Sequence, residues 1–191
     1  MLSSDWQCHE DQTVDLAVLP WGMIKNNFTC ASLNYDGVVK KRSFFQTNGG
    51  SWPPGVGEPL VFIGMMSQVA GISRNYPIVR RGHLALVTAE KITREYGPSE
   101  YYIADLQTYP GHSGGPVWVA FGETLFLLCV MVAGYEQPLI EAGKKCKVDK
   151  YNLGVSLVTL VEKLTDIIFS DALVEHRQRE TSRPVKPIPT A

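Results

Sequence analysis

Between residues 59 and 158 the chain reads as six short runs of strand-forming residues, each closed by a turn rich in Gly, Pro or Asn. That rhythm constrains the fold more than any other feature. The runs cover residues 59–65, 78–87, 101–106, 115–120, 124–133 and 152–158. Six strands with frequent turns predict an all-β unit closed into a small antiparallel barrel, because closure leaves no unpaired edge. Upstream, Val14-Asp15-Leu16-Ala17-Val18-Leu19 alternates as a strand and stops at Pro20, and Phe44-Phe45-Gln46-Thr47 predicts another. Residues 48–55, Asn-Gly-Gly-Ser-Trp-Pro-Pro-Gly, break regular structure and predict a crossover between two units. From about Ser156 the period changes. Leu157, Leu160, Val161, Leu164, Ile167 and Ile168 recur at helical spacing and predict an amphipathic C-terminal helix on the barrel. The chain therefore divides into 1–50, 51–170 and a polar tail, 171–191, whose end holds Pro184, Pro187 and Pro189 and is expected to be disordered.

Charge and composition exclude several classes of function. Eighteen Lys and Arg stand against nineteen Asp and Glu, a net charge of -1, so no basic field draws the chain to nucleic acid or a membrane surface. Apolar residues make up 45%, enough for a globular core, yet no run is long and apolar enough to span a bilayer. Cys8, Cys30, Cys129 and Cys146 show no metal-binding spacing, so no metal or cofactor is expected; an oxidising compartment would allow two disulfides among them. Cys129, inside a strongly apolar run, reads as a small buried residue. The N-terminus lacks the basic-then-apolar plan of a secretory signal, which points to the cytoplasm if Met1 is the true start.

The chemistry concentrates in Tyr109-Pro110-Gly111-His112-Ser113-Gly114-Gly115-Pro116-Val117. A serine hydroxyl becomes a nucleophile only when a base takes its proton, and the oxyanion formed on attack needs backbone N–H groups already aimed at it. A tight loop with glycine on both sides of the serine meets the second need, with the Gly111 and Ser113 amides converging on one oxygen. A Gly-rich turn that merely contains a serine is common. Gly-x-Ser-Gly-Gly-Pro between two strands is far more specific.

That loop resembles the nucleophile loop of the trypsin-like, chymotrypsin-fold serine proteases, and the likeness extends over about residues 14–170. Asp15-Leu16-Ala17-Val18-Leu19 resembles the segment carrying the triad aspartate. Gly57 to Gly64 and Pro77-Ile78-Val79-Arg80-Arg81-Gly82-His83-Leu84-Ala85 resemble the opening strands of the second barrel in compact bacterial, HtrA-like members. Val132-Ala133-Gly134 resembles the edge that pairs with substrate, and Asn152 to Ser156 the last strand beside the specificity pocket. The resemblance implies a chymotrypsin-like double β-barrel with an incomplete first barrel in 1–50, a complete six-stranded second barrel and a C-terminal helix. It implies Ser113 as nucleophile, Asp15 as the residue orienting the base, Gly111 and Ser113 amides as oxyanion hole, and Val132, Ala133 and Gly134 as substrate-binding residues. Gln107 falls near the floor of the specificity pocket, where an uncharged side chain offers Lys or Arg no counter-ion. His112 stands where secreted digestive members carry Asp, so activation by a freed N-terminal ammonium is not expected.

The family's catalytic histidine precedes its aspartate by a few tens of residues, and only residues 1–14 precede Asp15. His9 would have to fold back over the site. His112 adjoins Ser113, and neighbouring side chains in such a loop diverge. His83 reads as a half-buried residue of a second-barrel strand, and His176 as part of a tail helix. The expectation is an N-terminally shortened serine endopeptidase acting on polypeptides, inactive for want of its base. The alternative is a pseudoprotease, whose barrel survives as a peptide-binding or interaction module. Retention of both Asp15 and the complete Gly111–Pro116 loop favours the enzyme.

Overall fold

The computed structural model describes residues 5–20, 34–39, 54–69, 71, 76–94, 97–141 and 144–182. In chain order the elements are β1 (Gln7–Cys8), β2 (Ala17–Val18), α1 (Tyr35–Val38), β3 (Pro59–Gly64), a 3-10 turn (Ser67–Val69), β4 (Ile78–Val87), β5 (Ile92–Arg94) and β6 (Gly97–Ser99). They continue with β7 (Tyr102–Asp105), β8 (Pro116–Phe121), β9 (Thr124–Glu141), β10 (Lys144–Leu160), α2 (Val161–Ile168) and α3 (Asp171–Thr181). Six of these strands close a barrel in the order β10-β7-β4-β3-β8-β9. Every neighbouring pair is antiparallel. The expected six-stranded barrel is therefore present, with a helix following its last strand.

Alternation fills the barrel. Leu60 and Phe62 on β3 point inward, as do Val117 and Val119 on β8. On β9 the register against β8 slips between Val117 and Trp118, so that Leu128 is the extra residue. This bulge lets Leu128 and Cys129 both be buried. Burial pushes the Cys129 thiol well above its ordinary pKa, with the Glu162 charge adding to it, so it behaves as a small apolar residue. Each fully buried Val, Leu or Phe in this core contributes about 1.5–3 kcal/mol.

One crossing is tight enough to test. A Cβ at Gly82 on β4 would run into the Asp105 carbonyl oxygen and the Leu106 side chain. Gly82→Ala should therefore open the β4–β7 pairing and cost about 1–3 kcal/mol. In a thermal melt of a chain this size, the midpoint should fall by about 2–4 °C per kcal/mol. An unchanged melt would mean that the two strands can separate freely.

Four sequence expectations need correction. Residues 14–19 were expected as one strand, but only Ala17–Val18 pairs, with Gln7–Cys8, as a two-stranded sheet. The hairpin of β9 and β10 runs well past the expected limits of 133 and 152, to Glu141 and Lys144. Its outer part lacks the apolar alternation that marks a strand, and only the pairing of Glu141 with Lys144 and of Gln137 with Tyr151 reveals it. Leu157 and Leu160 belong to β10, so the helical period is obeyed only from Val161, whose side chain is buried with Ile167. The expected disordered tail begins instead with α3, which is anchored by buried Leu173 and by the Arg177 guanidinium 5.6 Å over the Phe169 ring. The expected strand at Phe44–Thr47 and residues 183–191 lie outside the described residues.

α2 packs against β2 and β9. Tyr35 of α1 bonds through its hydroxyl to Thr165 Oγ1 at 3.0 Å and meets Phe169 edge-on at 5.1 Å. His9 Nε2 lies 3.4 Å from Asp166 Oδ2. The N-terminal segment is thereby tied to the C-terminal helix. Among the described residues no helix is long and apolar enough to cross a membrane.

Candidate active site

Two consecutive tight turns shape the loop between β7 and β8. His112 N–H donates to Tyr109 O at 3.1 Å, and Gly115 N–H donates to His112 O at 3.0 Å. Ser67 clamps the first turn from outside, giving both its N–H and its Oγ–H to Pro110 O at 3.1 and 2.9 Å. The second turn is fixed to β9 by Gly114 N–H to Met131 O and Met131 N–H to Gly115 O. Ser113 is left exposed at the corner, its Oγ donating to Val132 O at 3.2 Å.

The three glycines of the loop serve two purposes. Gly111 and Gly114 have φ of 100° and 79°, a region that costs any residue with a Cβ. Gly115 is required for space: a Cβ there would strike the Phe62 ring and the His112 carbonyl. Among the described residues, neither Gly111 N–H nor Ser113 N–H donates to another group. Both remain available to an oxygen bound at the corner.

His112 turns inward. It is 1% exposed, and its ring lies tilted on Phe62 at 4.6 Å and edge-on to Tyr109 at 5.7 Å. Nδ1 accepts Tyr109 N–H at 3.2 Å, which assigns the proton to Nε2. Nε2 is buried with no partner among the described residues. Burial, and then the positive charge of Arg80, hold the imidazole below its ordinary pKa. The side chain is therefore a neutral strut beneath the loop and faces away from Ser113.

The residues expected to face a substrate gather around this corner. β8 pairs with β9 only as far as Val130; among the described residues Ala133 and Gly134 pair on one side alone, with Leu157 and Ser156 of β10, and Val132 falls at the irregularity between Met131 and Ala133. The Val132-Ala133-Gly134 edge begins where the Ser113 hydroxyl ends. Gly134 lies against the Thr108 hydroxyl, and Asn152 Nδ2 donates to Thr108 O at 2.8 Å. Gln107 is half-buried, and its Oε1 accepts Arg80 Nη2 at 3.4 Å.

No family model matches the chain, and no curated protein does. Asp15 is exposed and bonds neither to Ser113 nor to any histidine; its charge is felt instead by the Tyr101 phenol. The Tyr101 phenol is pushed up first by burial and then by the Asp15 charge. His9 accepts Asp11 N–H on Nδ1 at 3.0 Å and faces Asp166 with Nε2, so both nitrogens are engaged away from the loop. It lines a cavity of about 410 Å³ with Cys8, Asp166 and Phe169, none of which belongs to the Ser113 loop. His83 is exposed on β4, and His176 is on α3. None of the four histidines bonds to Ser113. Arg80 and Thr108 escaped the sequence argument as site residues, and Asn152 entered it only as the start of the strand expected beside the pocket, because the fold alone brings them beside Gln107 and Gly134.

Proposed function

We propose that the chain carries the nucleophile half of a trypsin-like serine endopeptidase, with Ser113 as nucleophile. The observation that carries this reading is the exposed Ser113 hydroxyl on a glycine-flanked corner, beside two free amides and at the start of an open strand edge. An extended peptide would add to the Val132–Gly134 edge through its backbone, with its scissile carbonyl against the Gly111 and Ser113 amides. Ser113 Oγ then attacks the carbonyl carbon while a base takes its proton. The C–N bond breaks as the departing amine receives that proton, and water hydrolyses the ester on Ser113. In this reading β1, β2 and α1 belong to an incomplete first barrel of a double-barrel fold, and Asp15 orients the base. The base is none of the four histidines here, so the reaction requires a histidine from another segment or chain.

A second reading has support of its own. The Ser113 hydroxyl rests on a backbone carbonyl rather than on a base, while the strand edge stays open. That arrangement suits a catalytically inactive module that binds extended peptides.

A fluorophosphonate probe separates the two. The protein as its native source produces it should be labelled on Ser113, and Ser113→Ala should abolish the label. The 191-residue chain by itself should react more slowly by on the order of a millionfold, since nucleophile and base act as a unit. Absence of label on the native protein, with peptide binding retained, would replace the peptidase with the binding module.

A further inference from the structure

The described residues contain one half-buried cation beside the nucleophile loop, and the reaction above gives it nothing to do. Arg80 on β4 stands opposite Phe62 on β3, so the two side chains leave the sheet on the same face. Phe62 reaches the underside of the loop through His112, and Arg80 follows it. The Arg80 guanidinium lies 5.1 Å over the Tyr109 ring and 3.4 Å from Gln107 Oε1. It is also near enough to His112 for its charge to oppose protonation there. Among the described residues no Asp or Glu comes within ion-pair distance of it.

A guanidinium offers five N–H donors, and a single long bond to a neutral amide uses one. The missing complement is a carboxylate, whose two oxygens match the guanidinium fork. We propose that Arg80 is a specificity-determining residue, whose guanidinium beside Gln107 recognises Glu or Asp at the residue preceding the scissile bond. The assignment rests on the peptidase reading and names its substrate class. Lys or Arg would meet like charge there. Next to Gln107 the Thr108 hydroxyl lies against Gly134 and the Asn152 amide donates to Thr108 O, so the neighbouring groups are polar, which suits an acidic side chain better than an aromatic ring.

Binding tests this without requiring turnover. Three N-acetyl tetrapeptide amides differing only in a last residue of Glu, Gln or Lys are titrated into the ¹⁵N-labelled chain, and the amides of Gly111 to Gly115 are followed by NMR. The Glu peptide should bind at least tenfold more tightly than the Gln peptide, and the Lys peptide most weakly. High salt should shrink the Glu advantage. Arg80→Gln should abolish that advantage, and Arg80→Lys should keep part of it. Gln107→Glu, which neutralises the guanidinium from within and leaves Arg80 in place, should also abolish it, guarding against misfolding of the Arg80 variants. Equal binding of all three peptides, or a Glu preference that survives Arg80→Gln, would overturn the assignment and leave the peptidase reading standing. If no peptide moved the loop amides, both would fall.

Discussion

Phe62→Ala should destabilise the protein by about 3–5 kcal/mol, the range for removing a fully buried aromatic side chain. The Phe62 ring covers its own strand neighbour Gly64, lies over Gly115 of the Ser113 loop and stacks on His112. Two glycines thus leave the volume that one ring fills, and neither has a side chain with which to close the cavity its loss would create. Equilibrium denaturation read by near-ultraviolet circular dichroism measures the loss. Phe62→Leu, which keeps much of the volume, should cost distinctly less. The variant should also disturb the loop before the barrel, because the ring is the floor on which His112 and Gly115 rest. NMR shifts at Gly111–Gly115 that exceed those at Leu84 or Val158 would show this. A cost below about 1 kcal/mol would mean that the loop stands without the ring.

That dependence explains what could be read from the sequence and what could not. The barrel was legible because the part of each strand that faces the core is short and bounded by turn residues. The strands expected at 59–65, 78–87 and 115–120 lie within a residue or so of β3, β4 and β8. The outer β9–β10 ribbon carried no such signal, since backbone pairing between its two arms follows from the hairpin and leaves no alternation in the sequence. α3 gave only a weak signal, a helical reading around Leu173 and His176 inside a tail expected to be disordered, because it is polar almost all round and one buried leucine fixes it. In the loop, Gly-x-Ser-Gly-Gly-Pro marked the corner where Ser113 stands exposed. It did not reveal that Gly115 serves packing while Gly111 and Gly114 serve torsion. The β3–β4 register sets Arg80 on the face of Phe62, and only the fold brings its guanidinium to Gln107, 27 positions on.

His112 should make the loop sensitive to acid. Its folded pKa is depressed, so as pH falls the unfolded chain takes up the proton first, from about pH 6.5. Across the window between that value and the lower folded pKa, the unfolded state holds more protons, and stability therefore rises with pH. It is fully present above the window and lost on acidification, at up to about 1.4 kcal/mol per pH unit from this group. Once His112 itself protonates, Nδ1 can no longer accept Tyr109 N–H, and a second positive charge stands beside Arg80. The first turn of the loop then loses its internal strut, while the clamp from Ser67 to Pro110 remains. His112→Asn provides the comparison. An asparagine carbonyl can take over the bond from Tyr109 N–H, and it does not titrate. Denaturation of both forms from about pH 4.5 to 8 should give a stability difference that tilts toward the variant below about pH 6.5 and levels above it. His9, His83 and His176 are common to both proteins and cancel. A difference that stays flat with pH would show that His112 does not carry the acid sensitivity, and that the loop is held without its neutral ring.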